Sequence, residues 1–417
     1  MGFFDGINAP DSLKLSSDWV EAIYSETSSG VNISPNTALR HTAVFACNRV
    51  LSESISSLPL TIYQEDEKGN RSKAKSHPLY DILHSTPNPE TTTMQWRETM
   101  ITSLNMRGNH YTQVIRDNAG RISSLWGLAT DRISVTRLEK TGELIFLYDN
   151  GKKQMPFKFD DILNVSGLSL DGMSGVSPIT YNRESLSLSK AMEIYGGKYF
   201  KNGATSTGAF SVQGELSDEA YKRLKNGFAD SYTGMINAHK PMILEGGAKF
   251  EKITMSNEDS QFLDSRKYQR SEIASIFRVP LHMINDLERA TFSNIEQMSL
   301  DFAIYTLTPW LVRIEQAMNR DLLTKKERAK GFYIKHNLAG LLRGDTASRA
   351  EMYSKYVNSG IYTINDVLAL EDKNEVANGN DRFMQGAMTT IDNIIAGNNF
   401  YFFNAISFFF ISIIIKR

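Results

Sequence analysis

The chain has 417 residues, of which 41% are apolar and 22% charged. That composition fits a folded protein of two or three domains and excludes a disordered one. Lys plus Arg number 46 against 47 Asp plus Glu, a formal net charge of -1, so the cationic excess of a protein that grips nucleic acid through its phosphates is missing. A few basic side chains focused on one surface still allow loose contact with DNA.

The single cysteine, Cys47, rules out an intrachain disulfide and a cysteine-based zinc site, and suits a reducing compartment. On a helix it reads as a small buried apolar residue rather than a reactive thiol. The opening MGFFDGINAPDSLK has neither the basic start nor the apolar run of a secretion signal.

Residues 1–33 lack periodicity and read as a flexible segment. Ser34-Pro35 opens a helix carrying Leu39, Val44, Phe45, Val50, Leu51 and Ile55, which should stop before Pro59. A strand LTIYQ and a polar turn around Gly69 follow. A short helix over Leu79–Leu83 ends near Pro87-Asn88-Pro89. Thr92 and Gln95 have capping-box spacing for a helix to about Met106. Residues 110–166 read as a β-meander of HYTQVIRD, ISSLWGLA, RISVTRLE and ELIFLYD. GLSLDGMSGVSP is a connector to a long helix over Ile179–Phe200, closed by Asn202-Gly203.

A small α/β insert should fill residues 204–255: a strand AFSVQG, a helix capped by Ser217, and strands PMILEG and KFEKITM. Ser256 with Asp259 opens a second long helix that ends near Val279. Leu281–Phe292 reads as a loop. Ser293 with Glu296 marks the next helix, which Pro309 should kink or divide. A strand GFYIKHNL and two short helices finish the pattern. Asp345 caps the first, which Gly360 ends, and Thr363 with Asp366 boxes the second. Two long helices flanking an insert form a stalk whose elongated surface an oligomer would cover.

From about Ala38 to Met384 the chain resembles the portal proteins of tailed double-stranded-DNA phages, in their HK97-like branch. YFKNGATSTGAFS resembles the family's turn out of a long helix. INAHKPMILEGGAKFEKITMSNEDSQFLDSRKYQRSEIASIFRVPLHMIND is similar to its most distinctive stretch. TFSNIEQMSLDFAIYTLTPWLVRIEQAMNRDLL and LLRGDTASRAEMYSKYVNSGIYTIND follow in family order. The order and spacing of these segments, more than any one of them, carry the resemblance.

The resemblance implies an α+β subunit with a β-rich wing (34–178), stem helices (179–203 and 256–280) flanking a clip (204–255), and a tunnel loop (281–292). Wing and crown helices would occupy 293–397, and an apolar tail 398–417. It implies a ring, usually a dodecamer, through which DNA is packaged and ejected without sequence specificity. Terminase large subunit, capsid or scaffolding protein and a head-completion adaptor are the implied partners. The setting is the capsid vertex of a virion, with assembly in the host cytoplasm.

Asn285, Asp286, Glu288, Arg289 and Thr291 would be tunnel-loop residues facing DNA. Mixed charge there suits weak contact, since tight contact would brake a duplex carrying about one charge per 1.7 Å. Asp264, Arg266, Lys267, Arg270 and Glu272 would supply inter-subunit charges on the stem, although the same residues also fit a solvated helix face. Glu215, Lys222, Arg223, Lys225, His239 and Lys240 would face terminase from the clip.

Other chemistries lack their signatures. No Gly-rich phosphate loop with Lys-Ser/Thr occurs, which argues against a packaging ATPase and leaves the energy to a partner. No HExxH occurs and the seven histidines are scattered, so neither a metal nor a cofactor is expected, and no catalytic residue is assigned. GMSGV lacks the last glycine of a nucleophile elbow. The run FYFFNAISFFFISIIIKR from Phe400 departs from the family. It is short for a membrane helix, which needs about 20 residues, and also fits a buried crown helix. The abrupt shift after Asn399 favours translation past a frame change.

Overall fold

The computed structural model describes residues 27–67, 69, 71–138, 141–201, 208–211, 217–222, 249–252, 258–287, 292–338, 346–371 and 374–382. The chain divides into two compact units, residues 1–338 and 339–417. The expected α+β class holds: helices alternate with small antiparallel sheets.

The first unit begins with α1 (Pro35–Ala38) and α2 (Thr42–Ser56). The expected single helix is two, because the chain turns at Leu39–His41. Ser34 does cap the first, accepting from the Thr37 amide in a capping box. On α2, Val44, Cys47, Leu51 and Ile55 recur at helical spacing and are buried, the expected fate of the thiol. α3 (Leu79–His84) and α4 (Thr93–Arg107) follow, α4 with the expected Thr92–Gln95 box. Trp96, Met100 and Leu104 of α4 interlock with the α2 stripe in the main core. Burying each such side chain contributes about 1.5–3 kcal/mol. Arg97 also enters this core, where Nη1 donates to the Leu58 carbonyl at 2.6 Å. Burial lowers its guanidinium pKa to about 10.

β1 (Leu60–Glu65) lies between β2 (Arg71–Lys73) and β11 (Phe332–His336), both antiparallel, with Leu60 opposite His336. The expected meander is instead two sheets. β3 (Asn109–Arg116) is central, between β4 (Ile122–Leu128) and β8 (Ile162–Ser166). β5 (Ile133–Arg137), β6 (Leu144–Asp149) and β7 (Gln154–Lys158) form a separate three-stranded sheet. The physical reason is a second small core of Tyr111, Phe146, Phe157 and Ile162, which the inserted hairpins close over.

α5 (Pro178–Tyr181) and α6 (Arg183–Lys201) replace the single expected helix, with a break at Asn182 whose side chain donates to the Pro178 carbonyl at 2.9 Å. Of the insert, β9 (Gly208–Ser211) pairs with β10 (Lys249–Lys252), and residues 218–222 are helical. Its remaining expected elements lie outside the described residues, as do Asn202-Gly203 and Ser256.

α7 (Glu258–Phe277) is followed by a 3-10 turn over Leu281–Ile284, so the expected loop begins with a helical turn. α8 (Phe292–Asp301) already includes Ser293, which is therefore not its cap. A π-helical segment (Phe302–Leu307) joins α8 to α9 (Thr308–Asp321). Pro309 has no N–H to offer the preceding turn, and the ladder widens just upstream of it, which is the expected division. Asp321, at the end of α9, accepts from the Asn164 amide at 3.1 Å and from Arg320 Nη2 at 2.8 Å, which ties α9 to β8. α10 (Lys325–Ala329) leads into β11.

In the second unit, α11 (Thr346–Asn358) ends where Gly360 takes a positive φ of 71°. α12 (Ile364–Leu370) has the expected Thr363–Asp366 capping box. Asp345 and the apolar tail lie outside the described residues. Among the described residues no helix is long and apolar enough to cross a membrane.

Candidate functional site

The expected stem and tunnel residues meet on α7 and just beyond it. No Gly or Pro interrupts Glu258–Phe277, and its 20 residues span about 30 Å. The helix stops where Arg278 adopts a left-handed φ of 53°, the Val279 amide donates back to Ala274 at 2.9 Å, and Pro280 follows. Gln269, Ile273, Ala274 and Phe277 bury one face of α7, which packs on α2 and α6.

Along that contact runs a cavity of about 610 Å³. Arg266, Lys267 and Arg270 line it from α7, and Asn285 and Asp286 from the following segment, so five of the expected residues share one groove. Arg270 Nη1 stands 3.6 Å from Asp286 Oδ2, which fastens α7 to that segment. Asn285 ends the 3-10 turn at a left-handed φ of 64°. Asp264 is exposed and Glu272 half-buried, both away from the groove lining. Lys222 is exposed. Glu288, Arg289, Thr291, Glu215, Arg223, Lys225, His239 and Lys240 lie outside the described residues.

The groove also contains residues that sequence reasoning missed. His41, at the start of α2, has Nε2 2.7 Å from Ser189 Oγ and 3.4 Å from Glu193 Oε1, both on α6. Lys190 Nζ reaches Glu193 Oε2 at 2.8 Å. Burial lowers the His41 pKa; Glu193 opposes this, while Lys190 and Arg266 add to it. The Ser189–Glu193 spacing of one helical turn is a local signal, whereas nothing in the sequence links either to His41. The trio is not a hydrolytic relay. Such a relay places serine and acid on opposite ring nitrogens, and here Nε2 faces both while Nδ1 has no partner among the described residues. No group of three His, Cys, Asp or Glu suited to a metal occurs among the described residues.

The sequence pattern of the phage portal protein family matches residues 42–372. The portal protein of Enterobacteria phage HK97 is 31% identical over 368 residues, covering 87% of this chain and 86% of that protein. A probable portal protein of Streptomyces phage phiC31 is 35% identical over 363 residues, covering 84% and 78%. The chain belongs to the phage portal protein family. Solved structures agree on the fold. A chain in the neck of an empty GTA particle, computed with C6 symmetry, superposes with a TM-score of 0.58 at 22% identity, covering 84% of this chain and 98% of that one. An HK97-family phage portal protein from Corynebacterium diphtheriae gives 0.56 at 15% identity, covering 74% and 96%.

Proposed function

We propose that this chain is one subunit of a ring at a capsid vertex, the channel through which double-stranded DNA is packaged and later ejected. The observation that carries the reading is the family match over residues 42–372, which takes in the α2–α6–α7 groove and the segment after it. On this reading α6 and α7 are the stem, the insert between them is the clip, and Asn285–Asp286 begin the segment nearest DNA. The ring is a dodecamer in the host cytoplasm before it enters the virion.

The role is structural rather than catalytic. Terminase large subunit docks on the clip during packaging, a head-completion adaptor afterwards, and capsid or scaffolding protein surrounds the ring. With a net charge of -1 the channel holds the duplex loosely, because few counterions are released on contact.

Negative-stain electron microscopy of the purified chain, with and without residues 400–417, tests the reading. Closed rings with a central hole are expected. Compact monomers that hydrolyse ATP would overturn it and point to an enzyme of the packaging machine.

A further inference from the structure

The cations of the groove are unequally satisfied. Arg270 leans on Asp286, and Lys190 neutralises Glu193. Burial keeps His41 from contributing a charge, since its pKa is lowered. Arg266 lines the same cavity with no hydrogen-bond or ion-pair partner among the described residues. Arg266 therefore offers the groove a positive charge that no described residue answers. Part of the groove lining is apolar: Ile284 and Leu287 belong to it, and Leu287, after the 3-10 turn, is 57% exposed. Exposed apolar groups around an ionic centre are what a protein partner covers.

α7 carries the complement on its other side. At 3.6 residues per turn, Arg266 and Arg270 share one stripe, and Asp264 and Tyr268 share another about 160° round the helix. Asp264 is exposed, and Tyr268, at 71% exposure, is among the most exposed large apolar side chains described. An acid and a tyrosine one turn apart form a compact plug. The carboxylate answers Arg266, and the ring supplies the amphipathic contact area typical of interface anchors.

In a head-to-tail ring each copy shows one face to one neighbour and a different face to the other. A helix with a cationic stripe on one side and an acid–tyrosine stripe on the other supplies both halves of such a contact. We infer that Asp264 and Tyr268 of one copy insert into the groove of the next, with Asp264 pairing with Arg266 and Tyr268 covering Ile284 and Leu287. The inference rests on the ring reading and deepens it, because it says which residues make the site complete only when a second copy is present.

Charge reversal in the full-length chain tests it, with assembly read by native mass spectrometry and folding by thermal melts. Asp264→Arg and Arg266→Glu should each weaken association at least about tenfold with the melt unchanged, because like charges then face each other. The double variant should recover most of the loss. Tyr268→Ala should weaken association, and Tyr268→Phe should not. Single reversals that assemble like the parent, or a double variant no better than the singles, would overturn the pairing while leaving the ring reading in place. Rings of Arg266→Glu that form normally but fail to retain DNA would overturn it in favour of a groove that faces the duplex. A parent chain that stays monomeric at every concentration would overturn the ring reading and the pairing together. If a reversal lowers the melt, Asp264→Asn and Arg266→Gln replace it, with association expected to fall less and to respond less to added salt than in the parent.

Discussion

His110, on β3, is fully buried, with Nε2 2.8 Å from the Thr112 hydroxyl, and burial pushes its pKa down to about 3. Burial also lowers His336, against the opposing pull of Glu315, and lowers His41. Each stays neutral in the folded chain at a pH where an unfolded histidine is already protonated. Stability from these sites is therefore complete above about pH 6.5 and falls with pH, by up to about 1.4 kcal/mol per pH unit for each histidine until its folded pKa is reached. Urea unfolding at pH 7, 6 and 5 should show midpoints that drop steadily, and a flat series would contradict the burial described. Gly108 is a second residue-scale constraint. It has φ 76°, and a Cβ there would collide with the Val176 carbonyl, so Gly108→Ala should cost at least about 2 kcal/mol. A melting temperature within a degree of the parent would show that the connector yields more readily than its geometry implies.

At the scale of elements, α4 depends on a cap and α9 on an anchor. Thr92→Ala removes one half of the capping box and should cost about 1 kcal/mol in denaturant unfolding, with Thr92→Ser close to neutral. Asp321→Ala should cost more, about 3 kcal/mol, because it strands the buried Asn164 amide and removes the Arg320 pair. Equal losses for the two variants would mean that the β8–α9 tie is solvated. The same contrast explains what was legible in the sequence. The boxes at Thr92 and Thr363 were visible because both partners lie within four residues. The strand segments were visible because apolar and polar residues alternate. Their partners were not. β3 pairs with β8 some fifty residues away, and β1 with β11 across most of the first unit, and alternation marks a face without naming a neighbour. The breaks at Leu39–His41 and Asn182 escaped because the apolar spacing continues across them. The charges on α7 could be read from the sequence, but the groove they share with His41, Ser189 and Glu193 exists only once three distant helices are packed.

At the scale of the whole molecule, assembly should depend on ionic strength. Exposed pairs more than a Debye length apart are screened, and that length falls from about 10 Å at 0.1 M to about 3 Å at 1 M salt. If charge contacts hold the copies together, rings formed at low salt should loosen towards 1 M, as read by sedimentation velocity. Rings indifferent to salt would assign cohesion to apolar area instead. The lone cysteine bears on how such assemblies can be watched. Cys47 is sealed in the α2–α4 core, and burial pushes its thiol up to about 12, so thiol-directed reagents at neutral pH should pass it by. A cysteine placed at an exposed position of α7 would then be the sole labelling site in every copy. A single fluorophore or spin label per subunit would report spacing around the ring without the native thiol having to be removed first.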